Sequence, residues 1–98
     1  MTVIWLPRAE EDLARQTAWL QSNRGGKAAL NYLEQVNDAV ERISNNELVL
    51  YRLYDAARNI RYHSINSHTI LYYRPLTSGD VELLTIFDSR QRPSKLKL

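Results

Sequence analysis

Residues 59–75 read NIRYHSINSHTILYYRP, two runs rich in Ile, Leu, Tyr and Thr on either side of Asn66-Ser67. Aromatic and β-branched residues favour strands, and Asn-Ser suits a two-residue turn. The stretch therefore predicts an antiparallel hairpin with strands over Asn59–Ile65 and His68–Pro75. That turn sets a register: Ile65 opposite His68, His63 opposite Ile70, Arg61 opposite Tyr72. Side chains alternate across a sheet, so Arg61, His63, Ile65, His68, Ile70, Tyr72 and Arg74 are expected on one face. Ile60, Tyr62, Ser64, Thr69, Leu71 and Tyr73 are expected on the other. The second set lacks any full charge and is the better partner for a core. The first gathers two Arg, two His and a Tyr on an open face.

A third strand is predicted over Asp80–Phe87, after a turn at Thr77-Ser78-Gly79-Asp80. Leu84 and Ile86 would then join the core face, with Leu83, Thr85 and Phe87 on the open one. Upstream, Ala29, Leu33, Val36, Val40 and Ile43 recur at helical spacing and form one apolar stripe on a helix of about five turns. Before it, Pro7 suits a helix start, and Glu10, Glu11 and Asp12 favour the positive end of the helix dipole. Ala9, Leu13, Gln16, Thr17 and Leu20 share a face of that first helix, with Trp19 at its margin. Gly25 or Gly26 separates the two helices, so an antiparallel helical hairpin is expected. Thr2–Leu6 reads as a short first strand. Glu47–Arg58 has no clean period and reads as a loop whose Leu48, Leu50 and Tyr51 pack back on the core. The expected fold is α+β: an N-terminal strand and a two-helix hairpin packed on one face of a mainly antiparallel three- to four-stranded sheet.

Ninety-eight residues allow a single domain, here 1–98 with a basic tail over 89–98. Hydrophobic residues at 44% and charged residues at 24% exclude wholesale disorder. No apolar run approaches the roughly 20 residues of a membrane-spanning helix. The N-terminus lacks the features of a signal peptide, so a cytoplasmic domain without membrane partners is expected. There is no cysteine, hence no disulfide and no thiolate chemistry.

Charge is unevenly divided. Residues 1–49 carry five Lys/Arg against seven Asp/Glu, while residues 50–98 carry eight against four. The tail holds Arg90, Arg92, Lys95 and Lys97 without an acid among the last ten residues. A basic surface from the C-terminal half suits an acidic protein or a phosphate backbone; on composition alone the tail reads as a solvated, charged end.

Phosphate loops, nucleophile elbows, zinc-protease helices and dinucleotide fingerprints are all missing from the sequence. No cofactor and no metal site are expected, His63 and His68 having no third ligand beyond Asp88. The sharper catalytic reading is metal-free RNA cleavage. His63 or His68 would transfer protons, and Arg61, Arg74 or Arg90 would stabilise the transition state. Tyr72 would offer a stacking surface for a base or, the more common role, pack against a neighbouring side chain.

Four segments in order resemble the RelE/ParE superfamily of bacterial type II toxin–antitoxin toxins, nearly end to end. They are Pro7–Leu13, Ala29–Ile43, the hairpin Ile60-Arg61-Tyr62 with Ser67-His68-Thr69-Ile70-Leu71-Tyr72-Tyr73-Arg74, and Val81–Gln91 with its Arg90-Gln91. The resemblance implies a toxin neutralised by a small cognate antitoxin. RelE-like members cleave messenger RNA on the ribosome, whereas ParE-like members inhibit DNA gyrase. Thr69 stands where a RelE-type sheet arginine would align, and no tyrosine follows Tyr73, so the ParE-like branch is favoured. The expectation is a gyrase inhibitor without turnover of its own, contacting its target through Arg61, His68, Tyr72, Arg74, Arg90 and Arg92. The alternatives are a RelE-like endoribonuclease acting on ribosome and messenger RNA, with Arg61, His63, His68, Arg74 and Arg90 as its catalytic set, or an inactive member that only binds antitoxin.

Overall fold

Pro7 opens the first helix without a side-chain cap, and Gly25, at φ +92°, ends it in a backbone conformation that a side chain would strain. A computed structural model describes residues 2–47 and 52–98 of the chain. Its elements are β1 (Val3–Trp5), α1 (Pro7–Arg24), α2 (Gly26–Ser44), β2 (Arg52–Asp55), β3 (Ile60–Asn66), β4 (Thr69–Pro75) and β5 (Val81–Asp88), then a 3₁₀ turn over Pro93–Lys95. The α+β architecture is as expected, with the helical hairpin packed on the sheet. The sheet is larger than three or four strands. Five strands lie in the order β1-β5-β4-β3-β2, with β1 parallel to β5 and all other neighbours antiparallel.

The extra strand is β2, inside a segment expected to be loop. It pairs with β3 as an edge and is exposed over Arg52–Tyr54, so no buried face imposes alternation on it, and a bulge at Tyr54 adds a break in the ladder. Leu48, Leu50 and Tyr51 lie outside the described residues. Among the described residues, no helix is long and apolar enough to cross a membrane.

The hairpin register differs by one residue from the expected one. Arg61 stands opposite Tyr73, Tyr62 opposite Tyr72 and His63 opposite Leu71. The turn is Ser67-His68, where the Asn66 side-chain oxygen accepts the His68 backbone N–H at 2.9 Å. That shift alone would still leave Arg61 on the face of Arg74; it is the extra residue at Ile65, bulged out of the ladder, that moves the pairing by one. Faces on β4 come out as expected, while those on β3 are reversed. Arg61, His63 and Ile65 therefore lie on the helix side, whereas Tyr72 and Arg74 lie on the far side. The single face carrying both Arg61 and Arg74 does not form.

A similar slip affects β5. The loop after β4 spans five residues, closed by Leu76 N–H to Asp80 C=O at 2.8 Å, which turns Leu83 inward beside Tyr73. An extra residue at Leu84 then restores the expected parity, so Ile86 is again inward and Phe87 outward.

Two apolar layers result. Between helices and sheet, Ala9, Tyr32, Val36 and Ile43 pack with Leu71, Tyr73, Val81, Leu83 and Ile86. On the far side, Ile60, Tyr72 and Leu84 are covered by Leu6, Tyr62, Ile70, Phe87 and by Leu96 and Leu98 of the tail. The tail is thus not simply a solvated end: after the 3₁₀ turn it folds back over the sheet, and its lysines alternate with leucines that pack.

β1 is only three residues long, so among the described residues no strand pairs with β5 on that side beyond Leu83. Helix α1 substitutes for one. Asp12 accepts the Ile86 N–H at 3.1 Å and a hydrogen bond from Thr85 Oγ1, while Gln16 Nε2 donates to the Ile86 C=O at 2.8 Å. Two side chains one helical turn apart satisfy both backbone groups of one residue. This seats α1 across the end of β5.

Candidate functional site

Where α1 crosses the end of β5, a groove of about 690 Å³ opens between the helical hairpin and the β3–β4 turn. Arg15, Trp19, Leu20 and Arg24 of α1 and Ala28, Tyr32 and Gln35 of α2 form one side. Asn66, Ser67, His68 and Thr69 form the other, and Asp88, Arg90 and Gln91 close the end. Trp19 is 53% exposed, a large apolar surface on the groove rim.

Local chemistry holds the walls in place. Asn66 Nδ2 donates to Gln35 Oε1 at 3.0 Å, tying the hairpin turn to α2. The Ser89 N–H donates to the His68 carbonyl at 2.8 Å, so the turn and the end of β5 stay side by side. The Tyr32 hydroxyl donates to Gln16 Oε1. Burial, reinforced by the charges of Asp12 and Asp88, pushes the Tyr32 pKa upward and keeps that hydroxyl a donor.

Two arginines in the groove are engaged by carboxylates of the chain itself. Arg15 Nη2 meets Asp12 Oδ1 at 2.7 Å. Arg90 presents Nε to Asp88 Oδ1 at 3.1 Å and Nη2 to Oδ2 at 2.8 Å, and its backbone N–H also reaches Oδ1 at 2.9 Å. The hydrogen bonds from Arg90 hold the Asp88 carboxyl below its ordinary pKa, against a smaller opposing effect of burial.

Of the residues expected to act, the groove gathers His68 and Arg90. Arg61 lies at the other end of β3, roughly 15 Å along the strand from Asn66, with Nε and Nη2 donating to Asn59 Oδ1 at 3.2 and 2.9 Å. His63 is half-buried on the helix side; burial, then the charges of Arg42 and Arg52, lower its pKa. Tyr72 is buried on the opposite face, its ring edge-on to Tyr54 at 5.0 Å and tilted against Tyr62 at 6.4 Å. Arg74 is on that face too, bound through Nε and Nη2 to Glu82 Oε1 at 3.0 and 2.7 Å. Arg92 is exposed, just before the 3₁₀ turn. Sequence reading missed Arg15, Trp19, Arg24 and Tyr32. Arg15 and Trp19 are one turn apart on α1, a signal that was available, but nothing local shows which face of a helical hairpin will meet a strand turn. Among the described residues, no group of three or more His, Asp or Glu is placed to hold a metal ion.

The model of the ParE toxin family, from the type II toxin–antitoxin system parDE, matches residues 3–93. The chain belongs to this family. No curated protein matches the sequence. Among solved structures, the chromosomal ParDE system from P. aeruginosa contains a chain similar to this one, with 15% identity, a TM-score of 0.70 and coverage of 90% of this chain and 95% of that one. The YoeB/ParE toxin from Agrobacterium tumefaciens is similar at 16% identity and a TM-score of 0.62, covering 90% and 98%. A chain of the heterotetrameric YoeB–YefM toxin–antitoxin complex from Staphylococcus aureus is similar at 15% identity and a TM-score of 0.60, covering 89% and 94%. At such identities the likeness concerns the fold. These neighbours carry both ParE and YoeB names, so shape alone leaves the target of this ParE-family toxin open.

Proposed function

We propose that this ParE-family toxin inhibits DNA gyrase through the groove at the end of β5, and that a cognate antitoxin neutralises it by occupying the same groove. The carrying observation is how the expected cations are distributed. RNA cleavage through the 2′-hydroxyl needs a base, an acid and a cation around one phosphate. Here Arg61 and Arg74 lie on opposite faces, Tyr72 is packed away, and only His68 and Arg90 meet. That pair suits a contact surface better than a catalytic centre. His68 and Arg90 are the residues assigned to target contact, with Arg92 beyond them on the tail.

The same groove suits an antitoxin segment. Trp19, Leu20 and Tyr32 offer an apolar wall, and Arg15, Arg24 and Arg90 a cationic rim. A partly disordered segment that lays apolar side chains along that wall and orders on binding fits it. The ParDE system and the YoeB–YefM complex, each pairing a toxin with an antitoxin, support a partner of this kind.

A paired assay with purified toxin tests the reading: supercoiling by gyrase, and cleavage of ribosome-bound messenger RNA. Inhibited supercoiling with no new RNA ends is expected. New RNA ends with supercoiling intact would replace this reading with a ribonuclease, and neither effect would leave a member that only binds antitoxin.

A further inference from the structure

Three arginines around one groove look like a phosphate site, yet a carboxylate stands among them at the groove's closed end. Asp88 is only partly exposed, with 27% of its side-chain surface accessible. It engages Arg90 through Nε and Nη2, the edge of the guanidinium that would otherwise grip a phosphate with two parallel hydrogen bonds. A phosphate brought to Arg90 would have to displace this carboxylate or lie beside it against like-charge repulsion. Arg15 is similarly committed to Asp12. A neutral acceptor such as a peptide carbonyl meets no such repulsion and takes the N–H groups that Arg90 has left.

We propose that Asp88 is a specificity-determining residue: it positions Arg90 for protein acceptors and screens it from polyphosphate chains, so that the groove selects a protein partner over RNA. This deepens the gyrase reading and rests on it for the identity of the protein partner. Substituting Asp88 by Asn separates charge from geometry, since Asn keeps the oxygen that accepts the Arg90 backbone N–H. Glu41, exposed near the far end of α2, provides a control with the same change in net charge.

The test is fluorescence anisotropy of a fluorescein-labelled polyuridylate oligonucleotide titrated with the full-length toxin across a salt series. Asp88→Asn is expected to bind about tenfold tighter than wild type at low salt, the gain of one charge-assisted contact. Its dependence of log K on log salt should steepen by about 0.7, one further phosphate. Glu41→Gln should stay within about twofold of wild type, a long-range effect that salt screens. Adding Arg90→Ala to Asp88→Asn should abolish the gain, because the freed guanidinium is what makes the new contact. Asp88→Asn binding no tighter than Glu41→Gln, or a gain surviving the Arg90→Ala addition, would each overturn the proposal. Asp88→Ala, which also removes the carboxylate from Arg90, carries the same comparison if Asp88→Asn does not fold. Supercoiling is read separately, so failure to inhibit gyrase would remove the named partner without deciding the role of Asp88.

Discussion

Asp12 is buried to 7% exposure and receives hydrogen bonds from Thr85 Oγ1, the Ile86 N–H and the exposed Arg15 guanidinium. A carboxylate taken out of water is tolerable when donors surround it on this scale. Asp12→Ala leaves the Ile86 N–H and the Thr85 hydroxyl unsatisfied, and should lower stability by about 3 kcal/mol in urea unfolding; a loss below about 0.5 kcal/mol, the range of ordinary surface substitutions, would refute the strand-substitute role. In the sequence this residue reads as one more acid in a first helical turn, because its partners are more than seventy positions away. His63 gives a pH dependence. Its pKa is lowered from the ordinary 6.5 by burial and then by Arg42 and Arg52, with Asp38 opposing. The unfolded chain therefore takes up a proton that folded His63 resists. Stability should fall as pH drops through about 6.5 and recover above it. His63→Gln should show a shallower fall in the urea midpoint over that window, and an unchanged pH profile would count against the assignment.

The helices and the three long strands were legible from periodicity and turn residues, since each is written locally in the chain. Register was not. A two-residue turn can begin at Asn66 or at Ser67, and the choice depends on whether the Asn66 side chain closes on the His68 N–H and reaches Gln35 on α2. Moving the turn by one residue leaves the same residues sharing a face; the single extra residue at Ile65 is what reverses the side chains from Ile60 to Ser64 relative to expectation. Bulges at Ile65 and Leu84 are equally silent in a hydrophobicity pattern. Asn66→Ala removes both bonds and should cost about 1 kcal/mol of stability, measured by thermal unfolding. If the variant were as stable as wild type, something other than Asn66 would be holding the turn.

At the scale of the molecule, the sheet is covered on both sides, by the helical hairpin and by residues 96–98 returning over the far face. This arrangement determines which cations are available. Arg74 belongs to the far face, over which the tail returns, and is paired with Glu82, whereas Arg90 stands where α1, the hairpin turn and the tail converge. The basic composition of the C-terminal half was plain in the sequence, but its division between two faces needed the topology. Replacing Leu96 and Leu98 together by Ala should lower stability by about 1–3 kcal/mol, since both are partly buried against Ile60, Tyr72 and Leu84. Unchanged urea unfolding would mean that the tail does not cover the sheet in solution.

The groove as the working surface is tested most directly by titrating wild-type toxin, Arg90→Ala and Arg74→Ala into a gyrase supercoiling reaction. Wild type and Arg74→Ala should inhibit alike, and Arg90→Ala should lose roughly tenfold or more in potency, as for a residue at the centre of a protein contact. Loss of inhibition in Arg74→Ala with Arg90→Ala fully active would place the contact on the far face of the sheet and contradict the account.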